Sequence, residues 1–160
     1  MGASLAIRAA ELSDAAALAT DLRPQDAAEI TAMRGAGADF AEAIRQSIAL
    51  SSHAWTAHLQ GSIAMIGGVA PVGSLLGGNI GSPWLLGSSV MFRRPGALTR
   101  TGRRYVAFMH TVYPELRNLI DHRNAVSIAW LQRLGFTIHT DEAVACGPDA
   151  VLFYPFSKKV

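Results

Sequence analysis

The sequence predicts a mixed α/β (α+β) domain in which a sheet of about seven strands carries helices on its faces. The apolar residues recur every four positions in 40–48, as on one face of a helix, but alternate with polar residues in 55–59, as in a strand. Gly and Pro residues separate short segments along the chain, and no repeat or linker interrupts its 160 residues. We therefore expect one domain over residues 1–160.

The first 50 residues predict one short strand and three helices. Residues 5–9 are expected to form a short first strand. Ser13 or Asp14 can cap a first helix, and Pro24 suits the first turn of a second. Asp39 can cap the third helix, because its short carboxylate can accept a hydrogen bond from a free backbone N–H of the first turn.

The middle of the chain predicts a hairpin, a long loop and a buried strand. The apolar segments 55–59 and 63–69 flank Gln60-Gly61, which is typical of a tight turn between antiparallel strands. Residues 71–83 contain four Gly and two Pro and are expected to form a loop. Residues 83–91 are apolar without alternation, which indicates a strand buried on both faces.

The second half predicts a strand, a helix and two final strands after a long basic helix. Pro95 can begin the long helix, and 116–121 can form the next strand. Asn124 is a candidate N-cap for a helix through Leu134. Two last strands are expected at 136–139 and 151–156, joined by a polar loop. A strand, helix and strand in succession predict two adjacent parallel strands on either side of the long helix.

The composition excludes several classes of protein. Half of the residues are apolar, yet no apolar segment reaches the roughly 20 residues of a membrane-spanning helix. No secretory signal is visible, so a cytoplasmic location is the expectation. The single cysteine rules out a disulfide within the chain, and the five scattered histidines show no metal-ligand spacing, so no metal site is expected.

The element order and one local motif resemble the GCN5-related N-acetyltransferases (GNAT). In that family an Asn commonly follows the fifth strand, and Gly-Phe opens the strand after the next helix. Asn124 and Gly135-Phe136 stand at this spacing. The resemblance covers nearly the whole chain and implies a mostly antiparallel sheet, one extra N-terminal helix and acetyl-CoA as a possible cofactor.

The same resemblance implies a set of cofactor-binding residues. The family holds the CoA pyrophosphate at a glycine-containing loop that opens a helix, because backbone N–H groups and the helix dipole favour phosphate there. Leu98 replaces a small residue of that loop, and Pro95 lacks an N–H donor. By this resemblance the cofactor contacts would be Ser89, Val90, Met91, Arg93, Arg94, Gly96 and Asn124.

The family's usual proton-transfer residues have no counterparts here. Leu131 occupies the position of the tyrosine that commonly protonates the CoA thiolate, and residues 83–91 contain no carboxylate to act as base. Asp121 and His122, at the end of a predicted strand, are the substitute base candidates. Both can equally be ordinary loop residues, and Asn124 can be a plain N-cap.

A basic cluster follows the buried strand. Five of the chain's 14 Lys and Arg residues lie between positions 93 and 104. They could bind CoA phosphates or an acidic partner, or form a solvated helix face. No nucleic-acid reading motif or stacking aromatic patch accompanies them, so nucleic-acid binding is not favoured.

A narrower resemblance is to phage GNAT-like proteins of the internal virion protein A type. It rests on Pro83-Trp84-Leu85-Leu86-Gly87-Ser88, on the basic helix ending at Tyr113-Pro114, and on 124–136. It implies a virion or assembly component with a degenerate acetyltransferase site, whose partners are other phage particle proteins or further copies of itself. The alternatives are an active acetyl-CoA-dependent N-acetyltransferase and an acyl-CoA-binding protein without turnover.

Overall fold

The computed structural model describes residues 5–73 and 78–160, which contain eight strands and five helices. The strands are β1 (Ala6–Ala9), β2 (His53–Leu59), β3 (Ser62–Pro71), β4 (Ile80–Gly87), β5 (Glu115–Asp121), β6 (Thr137–Ile138), β7 (Val144–Cys146) and β8 (Val151–Lys159). The helices are α1 (Asp14–Ala19), α2 (Pro24–Arg34), α3 (Phe40–Leu50), α4 (Pro95–Val112) and α5 (Ala125–Arg133). Short 3-10 turns lie at Met91–Arg93 and Thr140–Glu142.

The strands form one sheet in the order β1-β2-β3-β4-β5-β8-β6, with β7 also paired to β8. Strands β4 and β5 are parallel, and the other described pairs are antiparallel. This confirms the predicted mixed α+β class, the mostly antiparallel sheet and the adjacent parallel strands around the long helix. No helix among the described residues is both long and apolar enough to cross a membrane.

Two of the three predicted helix caps at polar residues have the expected geometry. The Asp39 carboxylate accepts from Glu42 N, and Asn124 Oδ1 accepts from Ser127 N at 3.2 Å. The predicted cap of α1 was wrong, although the helix ends at Ala19 as expected: Ser13 makes no side-chain cap, and Asp14 is the first residue of the helix. The buried carboxylate of Asp14 instead binds the Arg8 guanidinium through both oxygens and accepts from Glu11 N and Thr56, which ties α1 to β1 and β2.

The predicted bounds of β4 were wrong. The strand covers Ile80–Gly87 rather than 83–91, so 80–83 belong to a strand instead of the expected loop, of which 74–77 lie outside the described residues. Val90 and Met91 are buried, but they lie in the tight turns after the strand. Apolar residues on both sides of a turn gave the same signal as a longer strand, since burial alone does not fix an extended backbone.

The loop expected between the last two strands contains a further strand. Val144–Cys146 pairs with β8 and returns through a turn in which Gly147 and Ala150 have positive φ angles. Both Val144 and Ala145 are exposed, so the segment shows no buried apolar pattern. This strand of three residues depends on its backbone hydrogen bonds to β8. Such pairing leaves no pattern of apolar residues in the sequence.

Each face of the sheet carries an apolar layer. Ile66 and Val69 of β3 are three positions apart and therefore point to opposite faces. Val69 packs with residues of α4, α5, β5 and β8, including Met109, Leu116, Leu131 and Phe156. Ile66 packs with residues of α1 and α3, including Leu18, Ile44 and Ile48.

The parallel ladder between β4 and β5 is short. It pairs Ile80 with Glu115 and Gly81 with Leu116, and then ends. Beyond it, Asn118 of β5 reaches across with its side chain, and its Nδ2 donates to the Pro83 carbonyl at 2.7 Å. Pro83 lacks an N–H, but it is tolerated inside the strand because the missing donor falls on the β5 side, where the ladder has already ended. The two strands therefore leave an opening in the sheet towards their carboxyl ends.

Candidate functional site

A cavity of about 210 Å³ occupies the opening between β4 and β5. Its wall includes Leu85 and Leu98 from the α4 side and Trp84 and Leu86 from the α1–α3 side. The cavity therefore has walls on both faces of the sheet. Most of its lining is aliphatic or aromatic, as in pockets that bind small molecules with a few oriented polar groups.

The backbone of β4 contributes polar groups to this wall. The Ile80 carbonyl and the Ser88 amide bond towards β3, so even-numbered residues of the strand face that neighbour. The N–H and C=O of Leu85 and Gly87 therefore point towards β5, where the ladder has already ended. Such groups are donors and acceptors at the edge of a strand, ready to pair with an extended ligand.

The backbone groups of Gly87 are already bonded to α2 and to the residue before it. Asp26 Oδ2 accepts from Gly87 N at 2.8 Å, and Arg23 N donates to Gly87 O at 2.9 Å. Asp26 also receives two hydrogen bonds of 2.8 Å from the buried Arg23 guanidinium, which lies 5.0 Å from the centre of the Phe92 ring. The pair of Leu85 backbone groups is left facing the cavity.

Glu29 lies one turn after Asp26 on the same helix and reaches the other strand. Its Oε1 accepts from Asp121 N at 3.1 Å and from Asn124 Nδ2 at 3.3 Å. Burial in the cavity wall raises the pKa of Glu29 to about 7, and the charges of Asp26 and Asp121 add to this. Sequence reasoning missed Glu29: its spacing from Asp26 was visible, but the position of α2 across the opening was not.

Of the two predicted base candidates, Asp121 contacts Glu29 through its backbone N–H, and the contacts of His122 lie with Leu152, Tyr154 and Asp121. Asp121 is buried at the end of β5, where its carboxylate accepts from N, Nε and Nη2 of Arg123. Burial opposes ionisation of Asp121, but the hydrogen bonds and charge of Arg123 outweigh it and lower the pKa. The exposed His122 places Nδ1 2.8 Å from Leu152 O. Of these residues, Asn124 lines the cavity with Glu29, whereas Asp121 and His122 are not among its lining residues and His122 packs against β8.

The amides of residues 89–91 already have partners in the chain. Ser89 N and Oγ donate to Asp21, Val90 N donates to Ser88 Oγ at 3.4 Å, and Met91 N donates to Ser88 O at 3.1 Å. These three residues form the turn between β4 and α4. Leu85 is the residue whose backbone groups face the opening.

Helix α4 begins beside this turn with an exposed basic end. Arg93, Arg94 and Gly96 are exposed, and the helix has no side-chain cap. Gly96 and Ala97 lie in the first turn, where backbone N–H groups have no partner within the helix. Among the described residues, no salt bridge is formed by Arg93, Arg94, Arg100, Arg103 or Arg104. This end of α4 therefore offers both N–H donors and uncompensated positive charge.

Two of the residues that depart from the family pattern, Leu98 and Leu131, are buried and line the cavity. Leu98 is buried and packs against Met91 and Met65, so it does not obstruct the exposed first turn of α4. Leu131 lines the cavity without a proton to donate, but Tyr105 of α4 lines it too, 4.4 Å from Trp55 between ring centres. Burial raises the pKa of the Tyr105 hydroxyl. Its position in the long basic helix gave no sequence signal for a role in the site.

Solved structures share this architecture, although no family model matches the sequence and no match is found among curated proteins. An acetyltransferase of the GNAT family from Streptococcus pneumoniae aligns over 98% of this chain and 99% of its own, at 18% identity and a TM-score of 0.65. The ribosomal-protein-alanine N-acetyltransferase from Brucella melitensis aligns over 97% and 99%, at 17% identity and a TM-score of 0.72.

A third structure similar to this chain contains a cofactor. AAC(6')-Ib, solved in complex with ribostamycin and coenzyme A, aligns over 98% of this chain and 93% of its own, at 17% identity and a TM-score of 0.68. At this level of identity the likeness concerns the fold, and none of the three neighbours bears on a virion role. The chain has the fold of the GNAT-family acetyltransferases.

Proposed function

We propose that the protein is an acetyl-CoA-dependent N-acetyltransferase that holds the pantetheine arm in the opening between β4 and β5. The observation that carries the proposal is the parallel ladder that ends after Gly81 and leaves the Leu85 N–H and C=O facing a cavity. An amide of the pantetheine arm can pair with such a strand edge as a further strand would. Bound acetyl-CoA would supply the activated acetyl group.

The end of α4 fits the phosphates of the same molecule. Arg93 and Arg94 supply charge without a competing carboxylate, and the amides of Gly96 and Ala97 supply donors at the positive end of the helix dipole. The missing donor of Pro95 is offset by these two cations. Because Asp21 and Ser88 already hold the amides of Ser89, Val90 and Met91, we assign the pantetheine contact to Leu85.

Asn124 takes part as a positioning residue. Its Oδ1 caps α5 and its Nδ2 donates to Glu29, so both ends of the side chain are used within the protein. The role assigned to it by the family resemblance, a cofactor contact, is therefore replaced by one in which it fixes the cavity wall.

Calorimetric titration with acetyl-CoA tests the proposal, followed by detection of free CoA thiol over a panel of amines. We expect binding of one molecule per chain and amine-dependent thiol release. Absence of heat at millimolar acetyl-CoA would overturn the proposal. Binding without thiol release on any amine would favour an acyl-CoA-binding protein instead. The virion-component hypothesis, with its degenerate site, stays a prediction, and binding to particle proteins is its own test.

A further inference from the structure

The two carboxylate oxygens of Glu29 differ among the described residues: Oε1 accepts two hydrogen bonds, and Oε2 accepts none. Both donors, Asp121 N and Asn124 Nδ2, reach Oε1. Within residues 5–73 and 78–160, no group donates a hydrogen bond to Oε2, and no Lys, Arg or His forms a salt bridge with Glu29. The side chain is therefore oriented by the protein and keeps one acceptor for a ligand in the cavity that it lines.

The charged groups around Glu29 are already compensated. On its own helix, Asp26 is paired with the buried Arg23. From the β5–α5 turn, Asp121 is paired with Arg123, and the exposed His122 lies 3.7 Å from the Asp121 carboxylate. Strand β4 presents only backbone and apolar side chains here. Among the described lining residues, Glu29 is therefore the one carboxylate without a paired cation, and it can balance a single positive charge.

We propose that Glu29 binds the ammonium group of an apolar primary monoamine at Oε2 and accepts its proton during acetyl transfer. This inference rests on the proposed function. The apolar wall around Glu29, formed by residues such as Trp84, Leu86 and Phe92, can accommodate a hydrocarbon or aromatic body. A polyamine would bring further cations to a site in which Asp26, the other carboxylate among the described lining residues, is already paired with Arg23.

The transfer requires no other reactant. The ammonium group passes one proton to the Glu29 carboxylate and becomes a neutral amine. The nitrogen lone pair attacks the thioester carbonyl carbon, so that a C–N bond forms while the C–S bond breaks with its electron pair on sulfur. The second nitrogen proton goes to the departing sulfur, and Glu29 releases its proton to water.

The raised pKa of Glu29 also suits a proton acceptor. A proton acceptor works best when its pKa lies near the working pH, and the pKa of Glu29 is raised to about 7 by burial. Glu29 must be ionised to accept a proton, so activity should rise as the pH rises through this value. The Asp121 carboxylate, whose pKa is lowered, is a weaker base than Glu29.

The test compares Glu29→Gln, Glu29→Asp and the control Glu142→Gln, which removes an exposed carboxylate from a distant turn. Gln keeps the oxygen that accepts from Asp121 N, so the fold should be retained and the acetyl-CoA affinity should change less than about twofold. With phenethylamine as acceptor, we expect kcat/KM of Glu29→Gln to fall about 10² to 10⁴-fold, with loss of the pH-dependent rise near 7. Glu29→Asp should retain that rise, and Glu142→Gln should match the wild type.

The outcomes separate the two proposals. If the wild type binds acetyl-CoA and acetylates amines but Glu29→Gln keeps its rate and pH profile, Glu29 is not the base while the proposed function stands. If spermidine is acetylated with a higher kcat/KM than phenethylamine, the monoamine assignment is wrong. If the wild type fails to bind acetyl-CoA at millimolar concentration, both proposals fall.

Discussion

The carboxylate of Asp26 accepts a hydrogen bond from the backbone N–H of Gly87 over 2.8 Å, and so joins α2 to the last residue of β4. One turn further along α2, Glu29 makes the equivalent contact with Asp121 N at the last residue of β5. A single helix therefore bridges the carboxyl ends of two strands that no longer pair with each other. This arrangement gives the opening a fixed width and places an acidic group in its wall.

The buried ion pair between Arg23 and Asp26 should contribute strongly to the stability of the folded protein. Asp26→Asn removes the charge that compensates the buried Arg23 and should lower the free energy of unfolding by about 3–5 kcal/mol. Glu42→Gln is the matched control, because it breaks an exposed pair with Arg45 of the same i,i+3 spacing. Its cost should stay below about 1 kcal/mol in urea unfolding. Equal effects of the two substitutions would contradict the role of the buried pair.

Glu29 should make the free protein less stable at alkaline pH. Its pKa is about 7 in the folded chain against an ordinary value of 4.5, so folding favours the protonated form. The stability that this gives is complete below pH 4.5 and is lost as the pH rises through about 7. Glu29→Gln should therefore gain up to about 3 kcal/mol relative to the wild type at pH 8 and nothing at pH 4. Urea unfolding at both pH values measures this, and a constant difference would be inconsistent with a raised pKa.

Asp14 should act in the opposite direction at acid pH. Hydrogen bonds from Arg8 hold the pKa of its carboxyl far below the usual range despite its burial, with Glu11 N and Thr56 adding to the effect. The stability that it contributes is present above the unfolded pKa of about 4 and is lost as the pH falls towards the folded value. Asp14→Asn should be destabilised at pH 7 and should show a flatter decline in Tm between pH 4 and 2. If Tm of Asp14→Asn declines as steeply as that of the wild type between pH 4 and 2, the Asp14 carboxylate is not the cause of the decline.

Asn124 combines two functions that substitution can separate. Asp at this position can still cap α5, whereas Ala cannot, so Asn124→Ala should lose about 1 kcal/mol of stability and Asn124→Asp should lose less. Asn124→Asp also replaces the donor to Glu29 by a negative charge. The pH midpoint of kcat/KM should then shift upwards relative to the wild type. If the pH midpoint does not change, Asn124 does not influence the pKa of Glu29.

The basic end of α4 should contribute affinity that depends on salt. Replacing Arg93 and Arg94 by Ala should weaken acetyl-CoA binding about tenfold at low ionic strength, and less at high salt because exposed charges are screened. Arg133→Ala removes an exposed arginine from the last turn of α5 that is not among the residues lining the cavity, and should leave the affinity unchanged. Calorimetry at two salt concentrations measures the affinities. If the Arg93/Arg94 variant and Arg133→Ala lose the same affinity for acetyl-CoA, the phosphates do not bind at the start of α4.

The sequence predicted the parts of the fold that local chemistry controls. The caps at Asp39 and Asn124 follow from short polar side chains before apolar periodic segments. The parallel neighbours β4 and β5 follow from a strand-helix-strand order. The end of β4 at Gly87 and the strand β7 depended on long-range pairing, and neither has a local signal.

The candidate site was harder to predict for the same physical reason. Asp121, His122 and Asn124 were found because they lie at the end of one strand, but Glu29 meets Asp121 from 92 positions away in the chain. Its contact depends on how α2 lies across the sheet, which the apolar pattern of that helix does not specify. The free backbone of Leu85 was also hidden, because the sequence does not reveal where a parallel ladder ends.

The backbone amide spectrum of the protein during titration with acetyl-CoA would show whether the pantetheine arm lies between β4 and β5. If the pantetheine arm lies between β4 and β5, the cross-peak of Leu85 should shift together with those of Gly96 and Ala97. The cross-peak of Ala145, in the exposed strand β7, should stay in place. Shifts that leave Leu85 unaffected at saturating acetyl-CoA, or no shifts at millimolar concentration, would contradict the account.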